Sequence, residues 1–191
     1  IANTPGIVPY FDLSFQHASN AVLRRMKRFG GTDSFLDLLS AIRLHNPLAG
    51  ARTNVIVGFP GETEEDFLET YAFLNQLGVS YLHVFTYSER DRTEAASMSE
   101  VVPMAVRNKR SKMLRGLSVK LRRAFYESQI ETKRTVLFEG ENKKGYIHGF
   151  TENYVKVKTP WDPALVNTVA EVRLKDIDDD GLVRFDYMEN S

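Results

Sequence analysis

The residues best suited to do chemistry in this sequence are Val55-Ile56-Val57-Gly58-Phe59-Pro60-Gly61-Glu62, followed by Thr63-Glu64-Glu65-Asp66. Three β-branched residues run into a Gly-Phe-Pro-Gly turn. A hydroxyl and a carboxylate then follow three residues apart, which describes a buried strand delivering backbone onto a capped helix. Glycine lets main chain approach a ligand closely, and the first N–H groups of such a helix are expected to be unpaired donors for a carboxylate. An ordinary strand-to-helix turn is the plainer reading. Glu62, Glu64, Glu65 and Asp66 are what a helix dipole favours in a first turn, so they are not read as a metal cluster.

A second kind of chemistry is carried by charge. Lys+Arg and Asp+Glu both number 25 over the chain. Between Arg107 and Arg134, however, ten basic residues stand against Glu127 and Glu131, an excess of eight that could face polyphosphate. Arg115, Arg122, Arg123, Lys133 and Arg134 are the RNA-binding candidates here, with Tyr154 and Lys156 beyond them. Tyr146, Phe150 and Trp161 add rings that stack on bases if exposed and are core if not. A solvated helix face is the competing reading. His17, His45, His83 and His148 have no ligand spacing. Asp176-Ile177-Asp178-Asp179-Asp180-Gly181 begins like a calcium loop, but Tyr187 stands where the bidentate Glu belongs, so it reads as an acidic turn. The chain has no cysteine, which removes disulfides, zinc-finger spacings and thiolate cluster ligands together.

Elements that alternate strand and helix must position these groups. Pro9–Phe15 reads as a strand, and Ser19 caps a helix carrying Val22, Met26 and Phe29 up to Gly30. Thr32 opens a second helix with Phe35, Leu38, Leu39 and Ile42 on one face. After the Val55–Val57 strand, the Thr63 helix aligns Phe67, Tyr71, Leu74 and Leu77 and stops at Gly78, and Val79–Tyr87 is the next strand. Strands separated by single helices imply parallel pairing, and three of them are a slice of a barrel-like sheet with at least one bare edge. Residues 88–102 read as a loop, and Pro103 starts a long helix to about Ile130. The period then changes to two. Val136–Glu139, Gly145–Phe150, Tyr154–Lys158, Val169–Leu174 and Leu182–Tyr187 read as five short strands, enough for a small closed barrel. The expected fold class is α/β, a partial parallel β/α barrel followed by a five-stranded all-β barrel, divided as residues 1–102, 103–131 and 132–191. At 191 residues and 42% hydrophobic, the chain can fill such cores. No apolar run approaches a membrane span and no signal peptide opens the chain, so a cytoplasmic location is expected. A start at Ile1 rather than Met points to a piece of something longer.

Three segments together, Asp12-Leu13-Ser14-Phe15-Gln16-His17-Ala18-Ser19, Arg52 through Glu62 and Phe85-Thr86-Tyr87-Ser88-Glu89-Arg90, resemble the S-adenosylmethionine (SAM) site of radical SAM methylthiotransferases. The resemblance implies that Ser14 and Gln16 approach the SAM ribose or aminoacyl group, that Ile56 lies against the adenine, and that Gly58, Phe59, Pro60 and Gly61 form the floor, with Arg52 and Tyr87 in the flanking segments. It also implies two 4Fe-4S clusters in the parent enzyme, whose cysteine ligands would lie in a missing amino-terminal half. Arg92-Thr93 stands where the family loop has Gly-Thr. Gly149-Phe150-Thr151-Glu152-Asn153-Tyr154-Val155-Lys156-Val157 is similar to the family's RNA-binding TRAM domain. This tail, with Arg123-Ala124-Phe125-Tyr126-Glu127-Ser128-Gln129, is closest to the branch acting on threonylcarbamoyladenosine in tRNA. Pro9 through Ser19 is closer to the branch acting on a ribosomal-protein aspartate. The leading expectation is therefore a fragment of a tRNA methylthiotransferase, inactive alone. The alternatives are the ribosomal-protein branch, a non-enzymatic RNA-binding module, and a designed or chimeric scaffold.

Overall fold

The computed structural model describes residues 4–188. The opening Ile1, on which the expectation of a longer parent rests, lies outside them. β1 (Tyr10–Gln16), β2 (Gly50–Val57) and β3 (Tyr81–Thr86) form one sheet in that order, separated in sequence by α1 (Asn20–Arg25), α2 (Thr32–His45) and α3 (Glu64–Leu77). β2 and β3 are parallel, with Arg52, Asn54 and Ile56 opposite Tyr81, His83 and Phe85. Burial alternates along both strands. Thr53, Val55, Val57, Leu82 and Val84 are buried, whereas Arg52, Asn54, Ile56 and the three β3 residues lie on an open face. Buried parallel sheets read as continuous apolar runs, so this alternation marks a sheet covered on one side only.

The covered side is packed by helix residues spaced three and four apart. Phe15 of β1 stacks on Phe35 of α2 with ring centroids 3.9 Å apart, and Leu39, Ile42, Phe67 and Leu74 are buried with them. α3 starts at the expected capping box, with Thr63 Oγ1 accepting from the Asp66 N–H and Asp66 accepting from the Thr63 N–H, and ends at Gly78 with φ +68°. α1 is shorter than its apolar spacing predicts. The Arg28 N–H donates to the Leu23 carbonyl and the Lys27 N–H to that of Arg24, which is a Schellman stop with Lys27 left-handed at φ +54°. Phe29 is consequently off the helix and fully exposed, not part of its apolar stripe.

α4 (Met104–Gln129) runs along the outer edge of β3. Ser118 Oγ accepts from the Leu82 N–H and donates to the Leu82 carbonyl, and Arg115 donates to the Val84 carbonyl at 3.3 Å. The β3 edge is therefore covered by helix side chains. Among the described residues no strand pairs with the far side of β1, which is the bare edge.

Compactness divides the chain into two units. Among the described residues, one holds 11–44 and 51–122; the other holds 4–10, 45–50 and 123–188, so α4 contributes to both. The second unit is built on a closed barrel in the order β4-β5-β6-β8-β7, from β4 (Lys133–Phe138), β5 (Tyr146–Thr151), β6 (Lys156–Pro160), β7 (Val169–Ile177) and β8 (Val183–Tyr187). Val136, Phe138, Ile147, Val157, Val172, Leu174 and Val183 point inward and are fully buried, as period-two strands require. Among the described residues no helix is long and apolar enough to cross a membrane.

Candidate functional site

The carboxyl ends of β2 and β3 open into a cavity of about 350 Å³, the place where parallel α/β sheets bind ligands. Ile56, Phe59, Phe85 and Tyr87 give it flat apolar walls, and Thr86, Ser88, Arg90 and Thr93 add polar groups at the rim. Three of the residues singled out from sequence, Ile56, Phe59 and Tyr87, meet there. Tyr87 Oη is buried without a hydrogen-bond partner among the described residues, and its ring lies under the Arg107 guanidinium, 5.2 Å away. Arg92, in the loop bordering this cavity, holds φ +64°, the left-handed conformation that glycine adopts at less cost.

The Gly-Phe-Pro-Gly turn beside the cavity is closed on itself. Gly58 and Gly61 have φ +77° and +79°, as the tight turn requires. The N–H groups of Gly58 and Phe59 donate to Glu62 Oε2, that of Gly61 to the Glu100 carbonyl, and that of Glu62 to the Phe59 carbonyl. In the capping box the Thr63 N–H donates to Asp66 and the Asp66 N–H to Thr63, so the turn and the third N–H of the helix are satisfied by Glu62 and the cap residues and are not free for a ligand carboxylate. Pro60 offers its carbonyl to Arg25 at 3.5 Å.

Glu62 is the hub that sequence reasoning missed. Its Oε1 accepts from Arg110 at 2.8 Å, Arg110 also pairs with Glu64 at 2.9 Å, and both members of the Glu62–Arg110 pair are almost wholly buried. Burial, the largest cause, pushes the Glu62 carboxyl up from its ordinary range, against the pull of Arg110 and two backbone N–H groups. His17 stands 3.9 Å from Glu62, with Nδ1 3.0 Å from Thr70 Oγ1 and accepting from the Ser19 N–H. Desolvation lowers its pKa to about 4, outweighing the raising effect of Asp66, so the imidazole is neutral at pH 7 and the contact is not an ion pair. Arg107, also buried, donates to the carbonyls of Val102 and Tyr87 and to Glu89. Arg107 and Arg110 were counted in the cationic run read as facing polyphosphate. They face inward, because each has a carboxylate partner far away in sequence that no local pattern reveals.

The remaining cofactor-site candidates lie on the sheet's open face. Arg52 pairs with Asp12, Asn54 donates to Ser14 Oγ at 3.1 Å, and Gln16 ends β1 at φ +68°. The RNA-binding candidates are dispersed. Arg115 and Arg122 line one groove beside β3, while Arg123 pairs with Glu127 at 2.9 Å. Lys133 and Arg134 border a cavity of about 120 Å³, where Arg134 is tied to Gln129 and Glu152. Tyr154, left-handed at φ +74°, stacks on Tyr10 at 4.1 Å and leans on Phe150, over which Lys156 Nζ sits at 5.4 Å. One face of the Tyr154 ring is thus already taken.

The radical SAM superfamily pattern matches residues 2–74. The chain is 54% identical over 121 residues, 63% of its length, to the ribosomal protein uS12 methylthiotransferase RimO of Salinispora tropica, and 47% identical over 153 residues, 80% of its length, to that of Saccharopolyspora erythraea. It is 36% identical over 158 residues, 83% of its length, to the threonylcarbamoyladenosine tRNA methylthiotransferase MtaB of Aquifex aeolicus. These matches place the chain among the radical SAM methylthiotransferases. It spans only 24%, 31% and 37% of the length of those three relatives.

Proposed function

We propose that the chain is part of a methylthiotransferase that modifies an aspartate of a ribosomal protein. The observation that carries this reading is the higher identity to the relatives named for ribosomal protein uS12, 54% and 47% against 36% for the tRNA enzyme. It replaces the tRNA branch as the leading reading, which rested on the tail. The cavity at the β2 and β3 ends supports the cofactor half of the proposal. Ile56, Phe59 and Phe85 suit a purine ring, and the orphaned Tyr87 Oη suits a polar atom of the same ligand. Ser14, Asn54, Asp12 and Arg52 offer a polar surface toward a ribose or aminoacyl group. When bound, SAM supplies the one-carbon and radical chemistry of the family. The chain's own contribution is to hold it: Glu62 fixes the turn by its backbone N–H groups, Arg110 anchors Glu62, and Arg107 fastens α4 to the β3 exit at the Tyr87 carbonyl. An iron–sulfur cluster does not fit this chain, because cluster ligands are thiolates and it has no cysteine. We therefore propose that it is inactive alone and acts with an amino-terminal, cluster-binding part.

The test is a chimera in which this chain replaces the corresponding segment of the Salinispora enzyme. Mass spectrometry of the ribosomal protein and of tRNA after reaction is the readout. Methylthiolated aspartate with unmodified tRNA is expected. Methylthiolation of threonylcarbamoyladenosine instead would restore the tRNA branch.

A further inference from the structure

The groove between β3 and α4 shares only Phe85 with the cofactor cavity. It encloses about 400 Å³ and is lined by Tyr81, His83 and Phe85 from the sheet's open face and by Arg115, Val119 and Arg122 from α4. Because Ser118 meets Leu82 and Arg115 meets Val84, helix and strand run antiparallel. Arg115 therefore stands at the Phe85 end and Arg122, two turns on, at the Tyr81 end. The His83 and Phe85 rings lie 4.4 Å apart at a tilt of 41° and form one aromatic surface, and the two arginines are separated by about 10.5 Å of helix. Tyr81 and Phe85 are 37% and 45% exposed.

The two arginines here differ from the other arginines of α4. Arg107, Arg110 and Arg123 each have a carboxylate partner. Among the described residues neither Arg115 nor Arg122 pairs with one. Arg115 is steadied by Ser111 Oγ and the Val84 carbonyl, and Arg122 makes no hydrogen bond or ion pair there. An exposed row of rings flanked by two unneutralised guanidiniums matches a ligand whose flat groups and negative charges recur along a strand.

We propose that this groove holds a short stretch of single-stranded RNA, its bases against Tyr81, His83 and Phe85 and its phosphates on Arg115 and Arg122. A duplex stacks its bases on one another and has none free for the rings. An acidic peptide meets the cations but leaves the rings without flat partners. The choice of RNA over DNA rests on the reading above, in which the substrate is a ribosomal protein, whose own partner is RNA; the groove itself asks for stackable bases and phosphates.

Fluorescence anisotropy with a labelled octauridylate, titrated with the chain at several salt concentrations, tests this. Arg122→Glu is the main variant, since Arg122 makes no hydrogen bond or ion pair among the described residues; a thermal melt checks that it folds. It is expected to weaken binding about tenfold and to flatten the log–log salt slope by about 0.7. Tyr81→Ala is expected to weaken binding about fivefold with the slope unchanged. Lys109→Glu makes the same charge change outside the groove and is expected to cost less than about threefold at moderate salt. Wild-type affinity in Arg122→Glu would overturn the proposal, as would equal competition by a duplex or by octaglutamate. A tenfold preference for the deoxythymidylate octamer would overturn the RNA assignment. The chimera reads out independently of all of these, so failure of the groove and failure of the methylthiotransferase reading are distinguishable.

Discussion

His17 and Gly58 show how much of this site is internal support. His17 is buried neutral, with its pKa lowered from 6.5 to about 4. Between those values the unfolded chain binds more protons than the folded one, so His17 contributes stability that is present above pH 6.5 and lost as pH falls toward 4. The loss amounts to about 3 kcal/mol for a shift of this size. Glu62, raised by burial, acts with the opposite sign, since protonation favours its folded form as pH falls. Comparing wild type with His17→Gln isolates the histidine. Urea denaturation at pH 7 and pH 4.5 is expected to show a smaller acid loss in the variant, and equal losses would contradict the buried neutral imidazole. Gly58 has φ +77° and a Cβ there would collide with the Arg107 side chain. Gly58→Ala is therefore expected to destabilise by roughly 2 kcal/mol or more, read as a lowered Tm with no ligand present. An unchanged Tm would leave the glycine free for a purely ligand-binding role.

The elements were more legible than their contacts. The capping box at Thr63, the Gly78 stop and the strand-to-helix turn follow from short-range pattern, and they form as expected. The end of α1 did not, because apolar spacing carries to Phe29 while a backbone hydrogen-bond stop at Lys27 ends the helix earlier. α4 was legible as a long basic helix but not as the cover of a sheet edge, since Ser118 reaches Leu82 across 36 residues of sequence. Ser118→Ala would strand the Leu82 N–H and carbonyl in a buried position. A loss of about 1–3 kcal/mol is expected from chemical denaturation. A loss within error would mean that the edge finds other partners.

At the scale of the molecule, the change of sequence period at Val136 announced the barrel, and the parallel sheet followed from helices between strands. The site was half legible. Ile56, Phe59 and Tyr87 converge on the cavity, whereas the Glu62–Arg110 hub and the placing of Arg115 and Arg122 beside the Tyr81-His83-Phe85 row depend on pairings that only the folded chain creates. The measurement closest to the central claim is a SAM titration of the isolated chain followed by backbone NMR. Three strands give one wall of the pocket, so saturable binding with a Kd on the order of 1 mM is expected. The largest shifts should fall at Ile56, Phe59, Phe85 and Tyr87, and Ile56→Asp should abolish them. No shifts at any SAM concentration, or shifts confined to the barrel of residues 133–187, would contradict the account.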